Sequence, residues 1–156
     1  MKKLLEFLRK KKKMIITGVV IVGVPVLGVI ILDLINDDRA VSPEKLPNSI
    51  KSFVAENFLG NHISGATIDF LDYTVMLNNN ISIEFNTLRK WEQIESDGAE
   101  IPQNIIPAQI ISALRLKYPQ PIRTISKECR GYEIELEGLR QELYFDKKGN
   151  LSEIDD

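Results

Sequence analysis

The feature that most constrains this chain is that it matches itself. Residues 46–58, LPNSIKSFVAENF, correspond to residues 106–118, IPAQIISALRLKY, at an offset near 60. Leu46–Pro47 aligns with Ile106–Pro107, Ile50 with Ile110, and Phe58 with Tyr118. Further on, Tyr73–Leu77 aligns with Tyr132–Leu136 and Ile83–Asn86 with Leu143–Asp146. Trp91 and Ile94 align with Leu151 and Ile154. The offset slips by one residue twice, both times in segments that read as loops. The match reads as a duplication, in which each copy is one unit that its neighbour helps to bury.

Each copy carries the same local signals. Leu46, Ile50, Phe53, Val54 and Phe58 fall at helical spacing, as do Ile106, Ile110, Leu114 and Tyr118. Pro47 and Pro107 suit a first helical turn, where a missing N–H costs nothing. Gly60 and Pro119 stop the helices. The pattern then changes to period two. Tyr73, Val75 and Leu77 alternate with Thr74 and Met76, and Ile81, Ile83 and Phe85 with Ser82 and Glu84. Tyr132, Ile134 and Leu136 alternate with Glu133 and Glu135. These read as half-buried antiparallel strands. Asn78–Asn79–Asn80 and Glu137–Gly138 supply residues that tolerate tight hairpin turns. Outer strands near 63–70 and 122–127, and near 91–94 and 151–154, complete each unit. The expected fold is α+β: two tandem helix-plus-four-strand meanders, residues 44–98 and 99–156, with helices on one sheet face and the other face open.

The first forty residues obey different rules. Residues 1–13 hold seven basic residues and one acid, and read as a cytoplasmic segment. Met14 to Leu32 is uncharged over 19 residues, a helix of about 28 Å, close to the hydrocarbon thickness of a bilayer. Basic residues before such a run place the N-terminus in the cytoplasm and the rest across the membrane. Residues 14–35 therefore read as a transmembrane anchor or the apolar region of a signal peptide, with 36–43 as linker. The run is longer than a usual signal region, and Asp38 spoils the small-residue pattern before Ala40. Both features favour an anchor. No cysteine follows the run, which excludes lipoprotein processing. Residues 41–156 hold 12 basic and 18 acidic residues, a net −6 that argues against nucleic acid as partner.

The residues that pair in the self-match also carry a family resemblance. LPNSIKSFVAENF, YTVMLNNNISIEFN and KWEQI in the first copy, with IPAQIISALRLKYP, GYEIELEG and ELYFDKKGNLSEID in the second, resemble the PepSY-like family. That family is described as β-lactamase-inhibitor-like and is found in envelopes of Bacteroides-type bacteria. The resemblance covers roughly residues 44–156. It implies a fold like that of β-lactamase inhibitory protein, with helices backing a sheet whose open face binds a protein. It does not imply β-lactamase inhibition, because fold does not fix function. Three departures stand out: three asparagines where the family has an Asn-Gly turn, Arg89 where the second copy has Gly149, and an N-terminus that reads as an anchor where the family usually has a signal peptide.

No residue set argues for catalysis, a cofactor or a metal. The one histidine, His62, follows the first helix with no recognisable nucleophile beside it. The acidic pairs Glu133/Glu135, Asp69/Asp72 and Asp155/Asp156 lack the spacing of a calcium loop. Phosphate-loop and hydrolase motifs are absent from the sequence. Cys129 stands alone and forms no internal disulfide. By alternation the open face should display Thr74, Met76, Ser82, Glu84, Glu133, Glu135 and Tyr144, either as a protein-binding surface or as a solvated sheet. Trp91 reads as core. The sequence thus points to a non-catalytic envelope module that binds another envelope protein through its open face, as inhibitor or modulator of a periplasmic hydrolase. The alternative is a membrane-anchored sensor or assembly subunit.

Overall fold

The computed structural model describes residues 39–155. The basic segment, the apolar run and the first linker residues lie outside the described residues. Among the described residues no helix is long and apolar enough to cross a membrane.

Nine strands form one sheet in sequence order, every neighbouring pair antiparallel. They are β1 (Arg39–Ala40), β2 (Ile63–Asp69), β3 (Asp72–Leu77), β4 (Ile81–Phe85), β5 (Trp91–Ser96), β6 (Ile122–Glu128), β7 (Gly131–Leu136), β8 (Glu142–Asp146) and β9 (Leu151–Asp155). Helix α1 (Asn48–Asn57) precedes β2, and α2 (Ala108–Lys117) precedes β6. A single 3-10 turn leads into each helix. The fold is therefore a mostly antiparallel sheet with two helices. Arg39–Ala40, which the sequence assigns to a linker, instead extends the sheet beyond β2.

The helices form where the sequence puts them. Leu46, Ile50, Val54 and Phe58 recur every fourth residue and are all buried. Pro47 sits just before α1 rather than inside its first turn, and its carbonyl accepts the Ile50 and Lys51 N–H groups. Pro107 does the same for Ile110 and Ile111. Gly60, at φ +81°, turns the chain after α1.

One row of side chains runs across the sheet beneath both helices. Ala66, Val75, Ile83, Ile94, Ile125, Ile134 and Leu143 are successive cross-strand partners from β2 to β8. All are buried, and together with Ile50, Val54, Ile110 and Leu114 they form one hydrophobic core. Directly paired residues share a face, so this row fixes which side of every strand is inside. The β5–β6 pairing is the seam between the two sequence halves. It has three residue pairs, Gln93↔Ser126, Ile94↔Ile125 and Glu95↔Thr124.

The hairpins β4–β5 and β8–β9 close by the same chemistry. Asn86 Oδ1 accepts the N–H groups of Leu88 and Lys90, and Asp146 Oδ1 those of Lys148 and Asn150. Arg89 (φ +58°) and Gly149 (φ +83°) share the left-handed backbone this loop needs. Only the second is pressed against a helix. A Cβ at Gly149 would lie 2.5 Å from the Gln109 Cβ, whereas Arg89 is exposed. Trp91 is buried, and the Lys127 ammonium lies 3.5 Å from its ring centroid. Burial and nearby Lys90 bring that ammonium down to about 8.

Ile94 is fully buried at the seam, so Ile94→Ala should cost about 2–5 kcal/mol. Urea denaturation measures this. A loss below about 1 kcal/mol would mean the seam carries no core packing.

Candidate functional site

The strand positions opposite the buried row make up the second face of the sheet. Thr67, Thr74, Glu84, Gln93, Ser126, Glu133, Tyr144 and Glu153 are successive cross-strand partners along one line. Gly65, Met76, Ser82, Glu95, Thr124, Glu135, Glu142 and Asp155 form a second line beside it. All seven residues that alternation assigns to an open face, Thr74, Met76, Ser82, Glu84, Glu133, Glu135 and Tyr144, lie on these two lines. The structure brings them together with Gly65, Thr67, Gln93, Glu95, Thr124, Ser126, Glu142, Glu153 and Asp155. The sequence reading missed those nine because they become neighbours of the others only through the registers of β2, β5, β6, β8 and β9.

The two ends of this face differ in chemistry. Strands β2 to β4 present Gly65, Thr67, Thr74 and Ser82 around Met76, which is 56% exposed, with Glu84 the one charge on their two lines. Strands β5 to β9 present Glu95, Glu133, Glu135, Glu142, Glu153 and Asp155 on the same two lines. A β-bulge between Ile122 and Thr124 turns Arg123 beside them. Its guanidinium donates to Glu135 and is held more firmly protonated by that contact.

Three carboxylates converge at the centre of the acidic half. Glu133, Glu135 and Glu142 each place an oxygen within 4.8 Å of the others. The Tyr144 hydroxyl donates to Glu142 Oε2 at 2.7 Å. Burial raises the Tyr144 hydroxyl far above its usual range, and the bond to Glu142 raises it further. The Glu133 carboxyl is also raised, first by burial and then by Glu142 and Glu128. Like charges held this close disfavour one another's ionisation. The arrangement therefore attracts a cation, an ammonium or a guanidinium. The sequence reading anticipates no metal site. The three clustered oxygens are nonetheless hard-cation ligands in type, and they come together because Glu142 pairs directly with Glu135 across β7–β8.

The remaining candidates lie elsewhere. His62 is exposed before β2, its backbone N–H bonded to Asn78 Oδ1. Cys129 is exposed and free in the β6–β7 turn. Asp69 and Asp72 face each other at the β2–β3 turn. A cavity of about 450 Å³ lies beside α2, lined by Ile101, Ile106, Leu114, Tyr118 and Ile122 among others, away from the acidic face.

Comparison with known proteins bears on this geometry. A family profile described as "Putative beta-lactamase-inhibitor-like, PepSY-like" matches residues 71–153, just over half of the chain. A solved protein from Bacteroides thetaiotaomicron, described as a "putative calcium-regulated periplasmic protein", is 30% identical. It aligns over 78% of this chain and 98% of its own, with a TM-score of 0.69. A Bacteroides vulgatus protein described as a "putative periplasmic protein of unknown function" is 25% identical over 77% of this chain and 100% of its own, also at 0.69. A second protein from that species, at 24% identity and a TM-score of 0.67, shares the fold. No curated protein matches the chain.

The raised Glu133 carboxyl sets a pH dependence. Its charge opposes folding at neutral pH, and that penalty is relieved as pH falls through the raised value. Glu133→Gln should therefore raise the Tm at neutral pH. The gain should shrink as pH falls and vanish below about 3, where the carboxyl is protonated folded and unfolded alike. Thermal melts across that range check it, and a lowered Tm at neutral pH would contradict it.

Proposed function

The chain belongs to the PepSY-like, β-lactamase-inhibitor-like family, and from that membership we propose that it is a non-catalytic binding module of the bacterial envelope. Its open sheet face binds the basic surface of another envelope protein. The observation that carries this reading is the continuity of that face: a half with a single charge, Glu84, centred on exposed Met76 and joined to an acidic half of six carboxylates on paired positions. An apolar contact flanked by same-sign charge gives both affinity and steering toward a positive partner. The family's inhibitor-like description favours a periplasmic hydrolase as that partner, blocked when the face covers it. The periplasmic placement follows the Bacteroides relatives, and the uncharged run behind seven basic residues supports an anchor at 14–35.

We further read the module as two copies of one unit, residues 44–98 and 99–156. The bulges support this. They occur at Ile63/Gly65 and Ile122/Thr124, and again at Glu84/Phe85 and Tyr144/Phe145, matching positions of the self-alignment.

The direct test uses Glu95 and Glu153, which are exposed on the acidic half. Full-length protein in mild detergent is immobilised against envelope extract, beside a Glu95→Lys/Glu153→Lys variant with an unchanged circular dichroism spectrum. Retention of a partner should fall at least about tenfold in the variant, a loss of about 1.4 kcal/mol, and should weaken with added salt. Equal retention by both proteins, insensitive to salt, would move the interface off this face.

A second reading rests on the Glu133–Glu135–Glu142 convergence and on the 30%-identical relative described as calcium-regulated. Three carboxylates offer up to six oxygens, at the lower limit of the roughly six to eight that calcium takes. Arg123 and Tyr144 already engage two of them. A bound cation would displace those contacts and neutralise the face, coupling calcium to partner binding. Calcium should then raise the Tm of the native chain and leave Glu142→Gln unmoved. No shift in the native chain at millimolar calcium would set this reading aside.

A further inference from the structure

The ends of the sheet differ as sharply as its faces. At one end lie the β2–β3, β4–β5, β6–β7 and β8–β9 turns, because consecutive antiparallel strands place alternate turns together. The start of β1 lies there too, since Arg39 pairs with Ile68 at the end of β2.

This end is apolar and basic at once. Phe70 is 81% exposed, Leu88 73% and Leu71 53%. Phe70 holds φ +57°, an unusual conformation for an aromatic residue, which projects its ring into solvent at the tip. Along the same end Arg39, Arg89, Lys90, Arg130, Lys147 and Lys148 are all exposed. The acids at this end, Asp69, Asp72, Glu92, Glu128 and Asp146, are half-buried at the strand ends. Asp146 is occupied by the Lys148 and Asn150 N–H groups. The opposite end instead exposes Asp97, Glu100 and Glu137, with Arg140.

On the anchoring reading, the linker length limits how far the basic end can lie from the membrane. It enters the sheet there at Arg39, and six residues separate Arg39 from Leu32, the last residue of the uncharged run. Six residues reach no further than about 25 Å when extended. Exposed aromatic and aliphatic tips in a row with lysine and arginine are the chemistry that partitions into the headgroup layer of an anionic bilayer.

We propose that the hairpin tips carrying Phe70, Leu71 and Leu88, with their six basic residues, rest on anionic phospholipid headgroups. The strands then stand upright on the membrane. The acidic face, repelled by the same headgroups, points sideways toward a partner. This rests on the anchoring reading for its membrane, and the test separates the two.

Cys129, the one cysteine, is exposed in the β6–β7 turn at this end and takes a fluorophore without mutation. Full-length labelled chain is reconstituted into phosphatidylglycerol–phosphatidylcholine vesicles holding a headgroup-linked nitroxide, and into the same vesicles of phosphatidylcholine alone. Resistance to alkaline carbonate reports the anchor, and quenching reports the tips. Quenching is expected in the anionic vesicles, weaker in the neutral ones, and lost in Arg89→Glu/Lys90→Glu/Lys147→Glu/Lys148→Glu. Each reversal should weaken tip association at least about fivefold. Quenching of a chain that carbonate extracts supports the tips while the anchor fails. An anchored chain with no quenching overturns the proposal and leaves the anchor standing. Stronger quenching of a label moved to the open face (Cys129→Ser/Glu84→Cys) also overturns it, because the sheet would then lie flat.

Discussion

The pairing of β5 with β6 is the contact on which the rest depends. Three residue pairs across that seam make one sheet of nine strands. Ile94 against Ile125 joins the buried rows of the two halves, and both side chains are fully buried. Without the seam each helix would have a four-strand meander to cover, with a hydrophobic row ending at a bare edge. Edges of that kind invite unwanted pairing. With it, the helices share one core and the opposite face becomes continuous.

That continuity is what gives the face its character. Gln93 meets Ser126 directly beside the Ile94–Ile125 pair, and the Ser126 hydroxyl donates to Gln93 Oε1 at 3.2 Å. On one side of this contact Glu84 is the one charge, and Met76 is exposed. On the other it gathers carboxylates, and burial together with Glu142 and Glu128 makes Glu133 resist ionisation. The neighbouring edge carries the opposite sign, with bases and apolar tips on four turns. A module with an acidic face at right angles to a basic end has a preferred posture against an anionic membrane, and that posture leaves the face accessible.

Much of the fold was legible in the residues. Period-four rows such as Leu46, Ile50, Val54 and Phe58 place the helices, and period-two alternation places β3, β4, β7 and β8. The seven face residues, Thr74 to Tyr144, follow from that alternation, since strand parity alone decides the side. What was not legible is long-range pairing. Nothing local in Gln93 or Ser126 says they will meet, and β1 is two residues long with no alternation to read. The carboxylate convergence escaped for the same reason: Glu142 begins a strand after an irregular turn, and only its register against Glu135 brings it to Glu133. The bulge that aims Arg123 at Glu135 leaves no mark in the sequence, because one extra residue in a strand shifts parity silently. The posture of the tips was hidden until the topology collected four separate turns at one end.

The most direct test of the central claim is photo-crosslinking in living cells. A photoreactive amino acid is placed at Glu84, on the open face, or at Leu116, an exposed helix residue. If the face binds an envelope protein, irradiation should yield one dominant adduct from Glu84 and none of that partner from Leu116. No adduct at Glu84, or the same adduct from both positions, would contradict the account.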